Sequence, residues 1–407
     1  LHRCIYYTSM IIVEHYRARR ELPAGVWLDL HGYYASAEEW GVATYPLADA
    51  LDPHGRSTHC MAAYVMALLM DVAGPYSLSV RDQGIVRRWA TQWAPLVSVH
   101  GAEPGEALPP FAVDLMQDTG LKSVSDSLNT SQLRRLDTSR LAMVLTQVRQ
   151  QLAQKLSPAQ IGLGEDCSVG HCRRLLEHLS RPWTQARAAR KFRRQAASGI
   201  ARVGAGFEAM HFFISGKEFT QPENVRMYSR QDFDTLFVFR QMDDPTAKLQ
   251  IQQGVQVARP DEWEVVNQSA NGFRLMRSIA GAKIAHGQLL AVCPHDGDRY
   301  FLAQVTWLMQ DRSNGLVAGI AALPGTPQAI ATRLLSGHTG KAELYSQAFM
   351  LPAVDAINAP QSLVLPVGWF QPSRVIEIYT DAPVRVRLDH ILQDGPDFER
   401  VSYVLEK

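Results

Sequence analysis

Apolar positions along this chain follow one period before about residue 185 and another after residue 200. In the first stretch they recur every three or four residues, the spacing that lines one face of a helix. Trp27, Leu30, Tyr34, Ala37 and Trp40 form one such face. Cys60–Val72 is apolar nearly throughout and predicts a buried helix, with Ser57 and Thr58 as candidate N-caps and Gly74-Pro75 as its stop. Trp89, Trp93 and Val97 share one side of the amphipathic stretch 82–97. A Gly- and Pro-rich break at 101–110 follows. Leu133, Leu136, Leu141, Leu145 and Val148 then resume the helical period over 131–156, and a short helix is predicted near Cys172–Leu179.

After residue 200 the apolar runs shorten and are punctuated by Gly, Pro, Asn and Asp, as in a small barrel or sandwich. The runs are Ala209–Ile214, Leu249–Val257, Trp263–Val266, Phe273–Met276, Gln288–Cys293, Tyr300–Met309 and Leu316–Leu323. Val375–Tyr379 and Val384–Leu388 alternate most clearly. The expected class is α+β multidomain, with an all-α N-terminal domain at 1–180. The Trp27-x-x-Leu30 to Tyr34 spacing resembles tetratricopeptide-like helical hairpins, but no regular period repeats. An irregular helical bundle fits the pattern equally well.

Composition narrows the function classes. With 407 residues, 46% hydrophobic and 20% charged, the chain has the makings of more than one folded core and is not a disordered tract. A net charge of +1 gives no overall pull on nucleic acid or membrane. Five cysteines are too few for a disulfide framework and read as reduced thiols. No run approaches the ~20 apolar residues of a membrane span. The chain starts at Leu1 without a leader pattern, so the expectation is a cytoplasmic protein, trimmed at its start.

One segment departs from this neutral background. Between Glu177 and Glu208 there is no acidic residue, while Arg181, Arg187, Arg190, Lys191, Arg193, Arg194 and Arg202 are basic. Guanidinium groups form bidentate bonds to phosphate and stack on purines. Downstream, Asn267-Gln-Ser269-Ala-Asn-Gly272 lies between two predicted strands. Arg190-x-x-x-Arg194 ahead of a barrel, with Asn-x-Ser-x-x-Gly inside it, resembles the signature of PilZ domains, receptors for the second messenger cyclic di-GMP. Gln304–Leu308 and Ala318–Ile320 resemble that family's later strands, and the likeness spans about 187–332.

The resemblance implies a six-stranded antiparallel β-barrel at 200–335, an arginine-rich hinge at 181–199 and a C-terminal β-rich domain at 336–407. It assigns cyclic di-GMP contacts to Arg190, Arg194, Asn267, Ser269 and Gly272, with Arg193 as an additional one. Arg194 and Asn267 stand 73 positions apart, farther than in typical members, which points to an insertion at about 216–261. That insertion holds a rival pair, Arg226 and Arg230. The implied function is a receptor without enzymatic activity or cofactor, in which ligand ordering of the hinge re-aims the helical domain toward a protein partner. The alternative is a PilZ-fold scaffold that binds no nucleotide. A nucleic-acid partner is not expected, because the basic surplus is confined to the hinge.

Other constellations are weaker. Cys167, His171 and Cys172 lack the fourth ligand of a structural zinc site. Gly340-Lys341 lacks the Ser/Thr and the upstream glycine of a phosphate loop. His31, His59, His178 and His211 have no catalytic company in the sequence.

Overall fold

The computed structural model describes residues 1–48, 57–101, 111–123, 131–184, 195–222, 259–269, 271–335 and 344–406. It divides into two compact units, Leu1–Lys191 with Trp307–Val317, and Phe192–Thr306 with Ala318–Lys407.

The first unit opens with α1 (His2–Arg17) and α2 (Val26–Glu39), followed by a short ladder of β1 (Leu47–Ala48) and β2 (Ser57–Thr58). Then come α3 (Cys60–Val72) and α4 (Val80–Trp93). A helix apolar on every side belongs in the middle of a bundle. α3 does so: every residue from Cys60 to Met70 is buried, and α1, α2, α4 and α6 (Val169–Trp183) pack on it. Its N-cap is His59, whose Nδ1 accepts from the Ala62 amide at 3.1 Å, while Ser57 and Thr58 lie in β2. On α2, Trp27, Leu30, Tyr34 and Ala37 are buried, but Trp40 follows the last helical residue and is 66% exposed.

Periodicity does not disclose the small sheet in this unit. β3 (Ser98–Gly101), β4 (Phe111–Asp114), β5 (Lys122–Ser123) and β6 (Leu133–Asp137) pair in the order β3-β6-β4-β5. Only from Ser139 does α5 (Ser139–Ala153) begin. Leu133 and Leu136, three apart, have the spacing of a helical face, but pairing on both sides of β6 places them in a strand, on opposite faces. Cys167 and Cys172 come together at the start of α6, with Cα atoms 6.0 Å apart. His171 sits 2.7 Å from Asp82.

The second unit contains two barrels. β7 (Gln195–Ala196), β8 (Ile200–Ala205), α7 (Phe207–Ser215), β9 (Asp261–Ser269), β10 (Gly272–Arg277), β11 (Leu289–Cys293), β12 (Phe301–Gln310) and β13 (Leu316–Ala322) follow in sequence. Strands pair in the order β10-β13-β12-β11-β8-β9, and β9 pairs back to β10, which closes six antiparallel strands as expected; β7 extends along β9. The run Ala209–Ile214, expected as a strand, is the helix α7. It lies between Gly206 and Gly216, the latter at φ +71°. Phe207, Met210 and Ile214 recur at helical spacing and enter an apolar cluster with Leu289, Phe349 and Phe398. The run Leu249–Val257 lies outside the described residues.

β14 (Gln328–Leu334), β15 (Ser346–Leu351), β16 (Ser362–Pro366), β17 (Val375–Tyr379), β18 (Pro383–Asp394) and β19 (Phe398–Leu405) close a second barrel, ordered β14-β15-β16-β19-β18-β17. Its first strand therefore lies ahead of residue 336. No helix of the described residues is long and apolar enough to cross a membrane.

Candidate functional site

The β9–β10 hairpin carries Asn267, Ser269 and Gly272. At its base, Arg277 reaches Asp261 at 2.5 Å and lies over the Trp263 ring, 4.8 Å from its centroid. Asp261 also accepts from the Ala282 amide at 2.9 Å. The base is thereby fixed to the barrel by a mostly buried ion pair and a cation–π contact.

The upper half is turned by a bulge. Leu275 pairs with Val265, but the next pair is Arg274 with Asn267, which leaves Val266 as the extra residue on β9. Trp263 and Val265 are buried, and simple alternation would send residues 267 and 269 to that same buried face. One extra residue reverses the sense of the alternation. Asn267 and Ser269 therefore share a face with their cross-strand partners Arg274 and Gly272, opposite the face of Val265 and Leu275. Asn267, Ser269 and Gly272 are each partly exposed.

The turn is held by its own side chains. Ser269 Oγ is 3.0 Å from Asn271 Oδ1 and 3.3 Å from the Gly272 carbonyl. The Asn271 carbonyl accepts from the Ala322 amide of the following chain at 2.8 Å. Gly272 is not in the left-handed region. Its missing side chain is required because a Cβ would run into the Ile320 carbonyl of β13. The reason for glycine is close strand approach rather than an unusual turn.

Arg187, Arg190, Lys191, Arg193 and Arg194 lie outside the described residues, as do Arg226 and Arg230. The chain is described again from Gln195, the residue after Arg194, and Gln195 pairs with Gln268 while Ala196 pairs with Asn267. It then runs antiparallel down β9: Gly199 O accepts from the Val265 amide at 2.9 Å, and Ile200 pairs with Glu264. Gln195 and Ala196, which follow Arg194 in the chain, are thus tied to the strand that bears Asn267 and Ser269. Arg181, at the other end of the expected hinge, lies in the last turn of α6.

Arg274 is absent from the sequence-based assignment. It faces Asn267 across the hairpin, and its spacing of two residues from Gly272 already implies a shared face. The bulge at Val266 carries no comparable sequence signal.

Ser402, His390 and Asp389 come together on β18 and β19. Ser402 Oγ and Asp389 Oδ2 both approach Nδ1 of His390, at 2.8 Å each. A proton relay needs one partner on each ring nitrogen, so this cluster is a surface hydrogen-bond group and not a triad. His31 is satisfied by the Thr119 carbonyl and the Tyr64 hydroxyl.

The fold and turn define a PilZ-type barrel that follows a helical unit in the chain and precedes a second barrel. Three family models match in chain order: "Cyclic-di-GMP receptor FimW, N-terminal domain" over 1–104, "Cyclic-di-GMP receptor FimW, middle PilZ domain" over 111–252, and "FimW C-terminal beta-barrel domain" over 330–405. The chain belongs to this family of PilZ-domain proteins. A relative is the cyclic-di-GMP receptor FimW of Pseudomonas aeruginosa (strain PAO1), 24% identical over 401 residues. That similarity covers 88% of this chain and 64% of the relative, so the chain spans less than two thirds of the relative's length. No solved structure matches. The middle match ends at residue 252, ahead of β9; it includes both Arg190/Arg194 and Arg226/Arg230 but not Asn267, Ser269 or Gly272.

Proposed function

We propose that this chain is a cytoplasmic, non-enzymatic receptor that binds cyclic di-GMP at the β9–β10 turn. Arg190 and Arg194 would grip phosphate or guanine, and Asn267 and Ser269 would meet a guanine edge or phosphate. Gly272 would keep the turn against β13, and Arg193 and Arg274 would add positive charge at the rim. The observation that supports this most is the register of Gln195 and Ala196, the residues next after Arg194, against Gln268 and Asn267 of the Asn-x-Ser motif. Binding would neutralise the arginines and pin the arginine-rich hinge, 181–199, to the barrel, and the helical unit would pass the change to a protein partner.

Titration calorimetry with cyclic di-GMP tests the reading, and absence of heat at tens of micromolar protein would favour the nucleotide-free scaffold. Two further outcomes are expected. Ser269→Ala should weaken binding by about 1–2 kcal/mol, since a ligand group loses its partner and the turn loses its hydroxyl clasp. Unchanged affinity would remove Ser269 from the site. Trypsin cleavage within 187–202 should slow on saturation with the nucleotide, because bound phosphates restrain the arginines. Equal cleavage rates with and without nucleotide, at confirmed saturation, would rule out ordering of this segment as the response.

A further inference from the structure

The first unit carries an open cleft of about 460 Å³ that the nucleotide reading does not use. Its aromatic wall is Trp27 and Tyr76, and Leu22, Pro23, Leu121 and Met309 add apolar surface. Asp71, at the end of α3, lines it too, and Tyr16 donates its hydroxyl hydrogen to Asp71 Oδ1 at 2.6 Å. A Cβ on Gly120 would collide with Asp71 Oδ2 and come within 2.9 Å of the Trp27 ring, so glycine keeps this corner open.

The charged groups around the cleft are committed, with one exception. Asp118 accepts from the amides of Gly25 and Trp27 at 2.6 and 3.1 Å, at the start of α2. Arg312 donates from Nε to the Leu22 carbonyl at 3.0 Å, and its amide donates to Glu21 at 3.1 Å. Lys122 donates to Gln117 at 3.0 Å, and Arg19 donates to the carbonyls of Tyr76 and Leu78 at 2.7 Å each. Asp71 has no ion-pair partner among the described residues. Burial pushes its carboxyl up to about 6, against the hydrogen bond from Tyr16, which pulls the other way.

We propose that this cleft binds an alkylammonium group, with its charge on Asp71 and its chain against Trp27 and Tyr76. A carboxylate held in an apolar recess favours a cation, and aromatic faces strengthen that preference. Tyr16 already takes one lone pair of Oδ1, so the fork of a guanidinium would have to share that oxygen with it, whereas a compact ammonium needs only Oδ2 and fits better. The apolar remainder of the wall suits the stem. The group has two sources, a free amine or a lysine side chain of a partner.

The test is calorimetric titration of the full chain with n-pentylamine, 1-pentanol and Nα-acetyl-lysine methylamide. The amine is expected to bind at least about tenfold more tightly than the alcohol of the same length. Its own charge is constant near neutrality, yet its affinity should fall about tenfold from pH 7 to pH 5, because the Asp71 carboxyl must first lose its proton. Asp71→Asn keeps an acceptor for Tyr16 and should abolish both the preference and the pH dependence. A capped lysine that outbinds pentylamine identifies a partner's lysine as the source, and the reverse order identifies a free amine. Equal binding of amine and alcohol overturns the proposal. So does an amine affinity that does not change with pH in the unmodified protein, a readout that holds even if Asp71→Asn fails to fold.

Discussion

Arg190→Ala and Arg194→Ala are each expected to abolish detectable cyclic di-GMP binding while leaving the melting temperature nearly unchanged. The ligand is a dianion, and charge-assisted hydrogen bonds to phosphate are about twice as strong as neutral ones. A loss of roughly 3 kcal/mol corresponds to more than a hundredfold in affinity, enough to remove the signal at micromolar concentration. Folding should hardly notice, because exposed substitutions away from the core usually fall within about 0.5 kcal/mol. The competing assignment is Arg226 and Arg230, which fall in the same middle-domain match. The strand pairing favours the first pair, since Gln195 follows Arg194 and is fixed opposite Gln268. Calorimetry of all four alanine variants decides between them. Binding lost in Arg226→Ala and Arg230→Ala but retained in the other two would move the site to 226–230.

How much of this was legible in the sequence depended on which force set each feature. The helical period of α2 and the wholly apolar α3 were legible because burial alone dictates them, and so was the strand character of β9 to β13. α7 was not: Phe207–Ser215 is apolar on most sides, so a helix and a buried strand give the same short run, and only packing beneath β14 and β15 distinguishes them. β6 was hidden by Leu133 and Leu136, whose three-residue spacing is that of a helix although in the strand they fall on opposite faces. The motif residues could be named from their order, but their common face could not. That face depends on the unpaired Val266, and a bulge is a property of two strands in register rather than of one. The clearing at Asp71 was equally invisible, because Tyr16, Asp71 and Gly120 meet only through tertiary packing.

The role of Gly272 separates the two readings of its loop most sharply. If glycine were needed for a left-handed turn, any L-residue would strain the backbone to a similar degree. The backbone of Gly272 is ordinary, and the obstacle is the Ile320 carbonyl, which a Cβ would meet head on, with the Ala321 Cα 3.4 Å away. A carbonyl in a strand cannot swing aside as a side chain can, and the 2.8 Å bond from the Ala322 amide to the Asn271 carbonyl holds the two chains together at that point. Gly272→Ala should therefore already be destabilising, and Gly272→Val more so, since its branched carbons extend along both strands. Forcing bulk into a packed site costs about 1–3 kcal/mol, and Val should reach or exceed the upper end. For a unit of this size, ~3 kcal/mol lowers the melting midpoint by roughly 6–12 °C. The expected order in scanning calorimetry is Gly above Ala above Val, with the loss confined to the transition that includes the first barrel. Nucleotide affinity of the Ala variant, measured below its own transition, should fall because the turn bearing Ser269 is pushed off β13. A Gly272→Ala protein that melts like the parent would mean that β10 and β13 can part at no cost, and the clasp of this turn against the barrel would have to be abandoned.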